Sequence, residues 1–440
     1  MTEHPNIAIV VLDTLRKDAF DEHFDWLPGR RFENAWSPSH WTVPVHGSLF
    51  SGKYATETGV HAKSSGFDYS GTALAEQLSS ESYTTRAYSS NVNITPQQNF
   101  DRGFDEFTGS WRLDAVGEDY FGWGEFSAES ERSGLSMYAA GVVSCIFSDA
   151  KTFPSLKNGV ITKFRDLDLD GALIDDGAKR AKQWITETDF GNQEFLFVNL
   201  MEAHSPYLPP RGYRTTQRVD VDSIRSYMDE PDVSEETARQ AYDDSVRYLS
   251  DIYCDIYESL SDSFDYIITL SDHGELLGEH GAWDHLYGVY PELTHVPLIV
   301  DGPGLSGTSD EVVSLLDVHA TVLDIANVSG ESRGASLLSE RDAIPRLTEY
   351  HGLSPTVKES LQSEGYDTTK FETELRGIAV EDNVYGYQTA DGFECIPETA
   401  DAKALQEGIS EIVENLDHRH VSETGVDDDL QSQLEALGYA

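Results

Sequence analysis

Four places along the chain carry residue types that could do chemistry together: Asp13, Thr42, the Asp272-His273 pair and His204. Each follows an apolar run or opens a predicted helix. Two carboxylates and one imidazole suit a single divalent cation of intermediate hardness. Such a cation lowers the pKa of a hydroxyl it coordinates, which is what an alcohol nucleophile needs at neutral pH. Thr42 would then be both ligand and nucleophile, and a helix start offers backbone N–H groups to an anion. Taken singly, each residue has a plainer reading. Thr42 could cap its helix, Asp13 could sit in a loop, and an Asp-His pair could be structural. The combination is what points to chemistry.

The elements that must position these residues follow a pattern. Residues 6–13, NIAIVVLD, form a β-branched run ending in Asp, as in a strand buried on both faces. An Asp at the carboxyl end of such a strand lies where open α/β sheets bind ligands. Pro44 fits the first turn of a helix reaching Phe50, ended by Ser51-Gly52. Helices are predicted over 72–82, 171–187 and 234–261, and strands over 83–89, 194–200, 266–270 and 296–300. Strands alternating with helices imply a largely parallel sheet with helices on both faces. Beyond about residue 330 the pattern changes: 376–391 reads as a hairpin and 400–440 as an acidic helix with a terminal segment. The stretch 110–165 has no clear period, and 110–190 as a whole is taken as a variable insertion.

The stretch from Thr42 to Tyr54, TVPVHGSLFSGKY, resembles the sulfatase signature C/S-x-P-x-R-x-x-L-x-T-G-[RK]-Y. The opening NIAIVVLDTLRKD resembles the same family's first strand and metal loop. HSPY at 204–207 resembles its His-x-Pro-Tyr, and LSDHGELLGEHGAWDH at 270–285 resembles its second metal loop. VPLIVDGPG at 296–304, VVSLLDVHATVLDIA at 312–326 and the closing QLEALGYA are also similar. The resemblance to the alkaline phosphatase/sulfatase superfamily covers nearly the whole chain except 110–190 and 340–375. It implies an α/β fold, the alkaline phosphatase-like three-layer sandwich with a mostly parallel central sheet. A catalytic domain over 1–330 and a smaller C-terminal α+β subdomain over 331–440 are expected.

The resemblance also implies roles. Asp13, Thr42, Asp272 and His273 would hold one divalent metal ion, with Mn or Zn favoured because the set is Asp/Thr/Asp/His and Ca the alternative. His204, His280 and His285 are candidate proton donors or partners of the ester, and Arg16, His46 and Lys53 candidate anion neutralisers. His295, leading into a strand, is expected to be structural. The sequence departs from the signature at Thr42, where the family has the Cys or Ser matured to formylglycine, and at His46, where it has Arg. Thr cannot become formylglycine, and a sulfated Thr must be hydrolysed directly, so phosphoryl transfer is favoured on chemical grounds. A formylglycine-independent sulfuric ester hydrolase, a phospho-group transferase and a non-catalytic metal-binding relative are the alternatives. The expected substrate is a small-molecule, glycan or lipid-headgroup ester.

Composition bounds the rest. Asp and Glu number 78 against 31 Lys and Arg, for a net charge of -47, and only 11 of the basic residues are Lys. A diffuse negative surface poor in Lys suits a high-salt cytoplasm, where self-repulsion is screened. The same charge argues against nucleic acid as a partner. Cys145, Cys254 and Cys395 form no disulfide framework and fit a reducing compartment. No window reads as a signal peptide or membrane span, so a cytoplasmic location is expected. The oligomeric state is not legible.

Overall fold

The structure is a computed structural model. It describes residues 4–64, 66–116, 175–216, 233–339 and 343–419, with pieces of 117–174 and 217–232. Eight strands make the main sheet, in the order β10-β2-β9-β6-β1-β5-β3-β4. They are β1 (Ile7–Leu12), β2 (Arg30–Trp36), β3 (Thr84–Ser89), β4 (Glu106–Gly109), β5 (Glu194–Leu200), β6 (Tyr266–Leu270), β9 (Leu298–Asp301) and β10 (Gly307–Ser314). A two-stranded ribbon, β7 (Leu276–Leu277) and β8 (Trp283–Asp284), lies between β6 and β9 in sequence. β6, β1, β5, β3 and β4 run parallel. β9 alone is reversed, pairing antiparallel with β6 on one side and β2 on the other.

β1 shows why this sheet lies between two helical layers. All six of its residues are buried. Because side chains alternate across a strand, Ile7, Ile9 and Val11 enter one core and Ala8, Val10 and Leu12 the other. The first core also takes Val45, Leu49 and Phe50 of the helix Thr42–Ser51 and Val318 and Val322 of the helix Leu316–Ala326. The second takes Phe20 and a stripe of the helix Glu235–Ser261, including Val246, Leu249, Tyr253 and Ile256. Burial at this spacing follows from 3.6 residues per turn. The three-layer sandwich expected from the sequence is the observed architecture.

A second, antiparallel sheet follows: β11 (Arg346–Tyr350), β12 (Leu375–Val380), β13 (Val384–Thr389) and β14 (Gly392–Ile396). Leu405 and Ile409 of the helix Ala402–Glu414 pack on it. The expected hairpin is β12–β13, and β11 and β14 extend it.

Several boundaries differ from the sequence expectation. The helix expected from 171 begins at Ala178, after Gly177 at φ 140. The helix over 72–82 is trimmed to Leu74–Ser80 and the strand near 296–300 is β9. The strands β2, β4 and β10 were not anticipated, because they are part polar and owe their conformation to neighbours. The last helix ends at Glu414, and the closing QLEALGYA lies outside the described residues, as does most of the insertion between 117 and 174. Among the described residues no helix is long and apolar enough to cross a membrane.

Candidate metal centre and active site

The carboxyl ends of four adjacent parallel strands, β6-β1-β5-β3, supply the site. Asp272 follows β6, Asp13 follows β1, Asn199 lies near the end of β5 and Asn91 follows β3. Thr42 is the first residue of its helix. Pro44 costs that helix no hydrogen bond, since first-turn N–H groups have no intrahelical acceptor. Gly52 closes it at φ 70, where a Cβ would stand 2.6 Å from His319 Nδ1.

Asp13, Asp272 and His273 offer one ligand atom each, all within 4.8 Å of one another, and all three residues are fully buried. Hydrogen bonds fix which atoms face inward. Asp13 Oδ2 accepts from Asn91 Nδ2 at 2.8 Å and Asn199 Nδ2 at 3.1 Å. Asp272 Oδ1 accepts from the His273 N–H at 3.0 Å and the Thr14 N–H at 3.4 Å. Asp13 Oδ1 and Asp272 Oδ2 are left buried with no hydrogen-bond partner. His273 Nδ1 donates to the Gly274 carbonyl at 2.9 Å. This sets the tautomer, so Nε2 presents a lone pair 3.5 Å from Asp272 Oδ2 and 3.9 Å from Asp13 Oδ1.

Two orphaned buried carboxylate oxygens and an inward imidazole lone pair fit a divalent cation of the Mn or Zn type. Without one, burial and the Asp13 charge push the Asp272 carboxyl well above its usual range. Burial and the neighbouring His285 push the His273 imidazole well below its own, which keeps it a neutral ligand. Thr42 Oγ1 stands 3.2 Å from His273 Nε2 and accepts from Asn91 Nδ2 at 3.3 Å. The nucleophile candidate therefore lies in direct contact with the ligand candidates.

The remaining sequence candidates divide. His46 is fully buried, with Nδ1 2.9 Å from the Thr42 carbonyl and 3.7 Å from Asp272 Oδ2, and Nε2 3.4 Å from Asn199. Burial lowers its pKa to about 4, and its ring braces the start of the nucleophile helix against β5. Arg16 does not face the cluster. Its guanidinium is spent on Asp18, Glu279 and the Glu275 carbonyl, tying the β1 loop to the loop after β6. Lys53 pairs with Glu331 beyond the far end of the nucleophile helix, roughly 15 Å along the axis from Thr42 at 1.5 Å per residue. His280 is also outside: it stacks on Tyr290 at 4.1 Å and pairs with Glu292 at 3.2 Å. His295 is structural as expected, stacked on Trp36 and bonded to the Glu33 carbonyl.

His204 and His285 do reach the site. Their rings are 5.1 Å apart, and the His285 ring is 4.5 Å from that of His273. His204 Nδ1 donates to the Ser205 carbonyl at 2.5 Å. His285 Nδ1 lies 2.7 Å from Asp284 Oδ1 and 3.7 Å from Glu275 Oε1. Burial alone would lower the His285 pKa, but the Asp284 and Glu275 carboxylates raise it well above its usual range.

Sequence reasoning missed Asn91, Asn199, Glu275 and Asp284. The signal for the two asparagines was available, since each sits at a strand's carboxyl end beside the Asp already singled out. It also missed Tyr242, whose hydroxyl accepts from the Arg16 N–H and donates to the Thr14 carbonyl, holding the Asp13 loop.

Comparison with known proteins agrees with this geometry. The sulfatase family model matches residues 5–328. A choline-sulfatase of Rhizobium meliloti (strain 1021) is 24% identical over 75% of this chain and 69% of its own length. Arylsulfatase K of Gallus gallus is 36% identical, but over only 26% of this chain and 24% of its own. Among solved structures, the phosphonate monoester hydrolase of Agrobacterium radiobacter superposes with a TM-score of 0.61 at 16% identity, covering 93% of this chain and 94% of that one. A protein solved with D-glucosamine-2-N,6-O-disulfate gives 0.56 at 15% identity, with 92% of each chain covered. The strand-end carboxylates, the Thr42 helix and the family match converge: this chain belongs to the sulfatase family, ester hydrolases of the alkaline phosphatase superfamily.

Proposed function

We propose that the chain hydrolyses phosphate or sulfate esters through a covalent Thr42 adduct, with phosphoesters the better substrates. The observation that supports this most is the placement of Thr42 Oγ1 against His273 Nε2 and Asn91 Nδ2, beside the orphaned oxygens of Asp13 and Asp272. A bound Mn or Zn ion would supply charge for the Thr42 alkoxide and for the ester's oxygens. Asp13, Asp272 and His273 would hold it, with Asn91 and Asn199 orienting Asp13.

Thr42, having lost its proton to solvent, attacks phosphorus (or sulfur) in line. The bond to the leaving alcohol breaks, its electron pair goes to the leaving oxygen, and that oxygen takes a proton from His204. Water then attacks the adduct and gives a proton back to His204, the bond from phosphorus (or sulfur) to the Thr42 oxygen breaks with its electron pair going to that oxygen, and inorganic phosphate or sulfate is released. Phosphorus is favoured because direct displacement at a threonyl sulfate lacks the elimination route that formylglycine provides. The substrate is a small-molecule, glycan or lipid-headgroup ester. The likeness to a choline-sulfatase and to a phosphonate monoester hydrolase supports a compact anionic ester on either chemistry. With 78 Asp and Glu against 31 Lys and Arg and a net charge of -47, we propose a saline cytoplasm, where salt screens the self-repulsion, as the protein's location.

Thr42→Ala tests the reading. It should fold, keep its metal and lose at least three orders of magnitude in rate, while Thr42→Ser keeps part. Rapid quench with peptide mass spectrometry should find the adduct on the 37–53 segment. Paired phosphate and sulfate esters of one alcohol decide the preference. Near-normal turnover by Thr42→Ala would leave a water molecule as the attacking group and end the proposal.

A further inference from the structure

The end of β11 runs beside the segment that leads into the nucleophile helix. Ser39 bridges to Glu349, its Oγ donating to the Glu349 carbonyl at 2.7 Å, and the His40 ring lies 4.8 Å from that of Tyr350. The next residue, His351, stacks on His61 with ring centroids 4.5 Å apart and planes 8° from parallel. Thr56 gives its hydroxyl hydrogen to Glu349 at 2.5 Å, so it accepts from His351 Nε2 at 3.1 Å and fixes that ring. His61 Nδ1 accepts the Lys63 N–H at 3.3 Å, which leaves the ring hydrogen on Nε2. Burial, and then the Lys63 charge beside it, lowers the His61 pKa to about 4, so the ring is a neutral donor. No acceptor among the described residues takes that hydrogen.

Lys63, half-buried, brings its side chain to the same place. Its Cε lies 3.6 Å from the position a Cβ on Gly352 would take, one residue past His351. Its ammonium has no ion pair, hydrogen bond or ring contact, whereas every other lysine among the described residues has a partner. That is not for want of acids in a chain with 78 Asp and Glu. The carboxylates contributed there by β11 and the segment before β12 are already claimed: Glu349 by Thr56 and Arg376, Glu374 by Arg376, and Glu372 by Lys358. A cation and a neutral N–H donor, both without a partner beside a fixed ring pair, suit an anion.

We propose that Lys63 and the His61 Nε2–H form a subsite for a second anionic group of the substrate, a carboxylate, sulfate or phosphate carried on the alcohol part of the ester. Three residues of chain lead from Ser39 to Thr42 and two from Glu349 to His351. At about 3.6 Å per residue, plus about 5 Å across the bridge, the Thr42 and His351 backbones are no more than about 23 Å apart. The alcohol part of the ester would bridge that interval. The inference rests on the proposed ester hydrolysis for its kinetic signature, and not for its binding.

The probes are phosphate esters of ω-hydroxy carboxylic acids of increasing length, and of the plain alcohols that match them, in molar KCl. At the length that reaches Lys63, KM for the carboxylate ester should lie about tenfold or more below that of the plain ester, at similar kcat. Lys63→Gln should bring the two KM values together, and Lys63→Arg should restore most of the gap. Equal KM values at every length in wild type, or a gap that Lys63→Gln leaves intact, would overturn the subsite. Calorimetric titration with the matching ω-carboxyalkyl and alkyl phosphonates reads the same difference without turnover. Tighter binding of the carboxylate form, abolished in Lys63→Gln, supports the subsite even if no ester is hydrolysed. Equal affinities of the two forms overturn it whatever the protein hydrolyses.

Discussion

Asp272→Asn should have opposite effects on stability with and without metal. In chelator, wild type buries two carboxylates whose inward oxygens, Asp13 Oδ1 and Asp272 Oδ2, have no hydrogen-bond partner. With its carboxyl pushed well above the usual range, Asp272 costs stability at neutral pH whether it takes up a proton or stays ionised, and an uncompensated buried charge costs about 3–5 kcal/mol. The amide keeps the shape of the side chain. Its oxygen still accepts from the His273 and Thr14 N–H groups, and its NH2 group can donate to Asp13. Recovering about half of the penalty predicts an apo variant more stable than apo wild type by about 2 kcal/mol. Metal should reverse the order. At one hundred times its dissociation constant a ligand adds about 2.7 kcal/mol to a protein that binds it, and the variant lacks a charged ligand at that centre. Denaturant midpoints in molar salt, measured with chelator and with Mn2+, give all four values. An apo variant weaker than apo wild type by 1 kcal/mol or more would refute the argument, as would equal metal-induced gains in the two proteins.

Asn199→Ala should lower metal affinity about 10- to 100-fold while the fold persists, because it removes an oriented donor to Asp13 and not a ligand; a competition titration with a chromophoric chelator checks this. Arg346 opens β11 and sits 1% exposed with its Nη2 2.9 Å from the fully buried Asp317 carboxylate. Arg346→Met should therefore cost about 3–5 kcal/mol in chemical denaturation, leaving that charge without its partner. Lowering salt from molar to about ten millimolar lengthens screening from roughly 3 to 30 Å. With a net charge of -47, the melting temperature followed by circular dichroism should fall steeply over that range.

Strand β1 was readable because six consecutive buried apolar residues admit few other interpretations, and Asp13 came with it. The Asp272-His273 pair was readable for the same reason, at the end of β6. Where reasoning from residue type fell short, the cause was partner choice. Arg16, Lys53 and His280 have the charge or ring an anion site wants, but nearer carboxylates claim each of them. His46 is a further case: it is buried completely between the nucleophile helix and β5, and burial lowers its pKa. The strands β2 and β10 escaped notice because they pair with each other across more than 270 positions of chain, which no local pattern encodes. Asn91 and Asn199 were passed over because an amide advertises neither charge nor ligation.

The strand order has a consequence for the living cell. β1 leaves the ribosome well before its neighbour β6 is made: 258 residues separate Thr14 from its contact Asp272. At about 5–20 residues per second, the nascent protein carries Asp13 and Thr42 for roughly 13–50 s before Asp272 and His273 exist. During that interval β1 can pair on its β5 side alone once β5 emerges, and its other edge stays open. A nascent chain in that state offers an apolar, unpaired strand to its neighbours on the same message, so chaperone demand should peak before β6 is translated and fall once it docks.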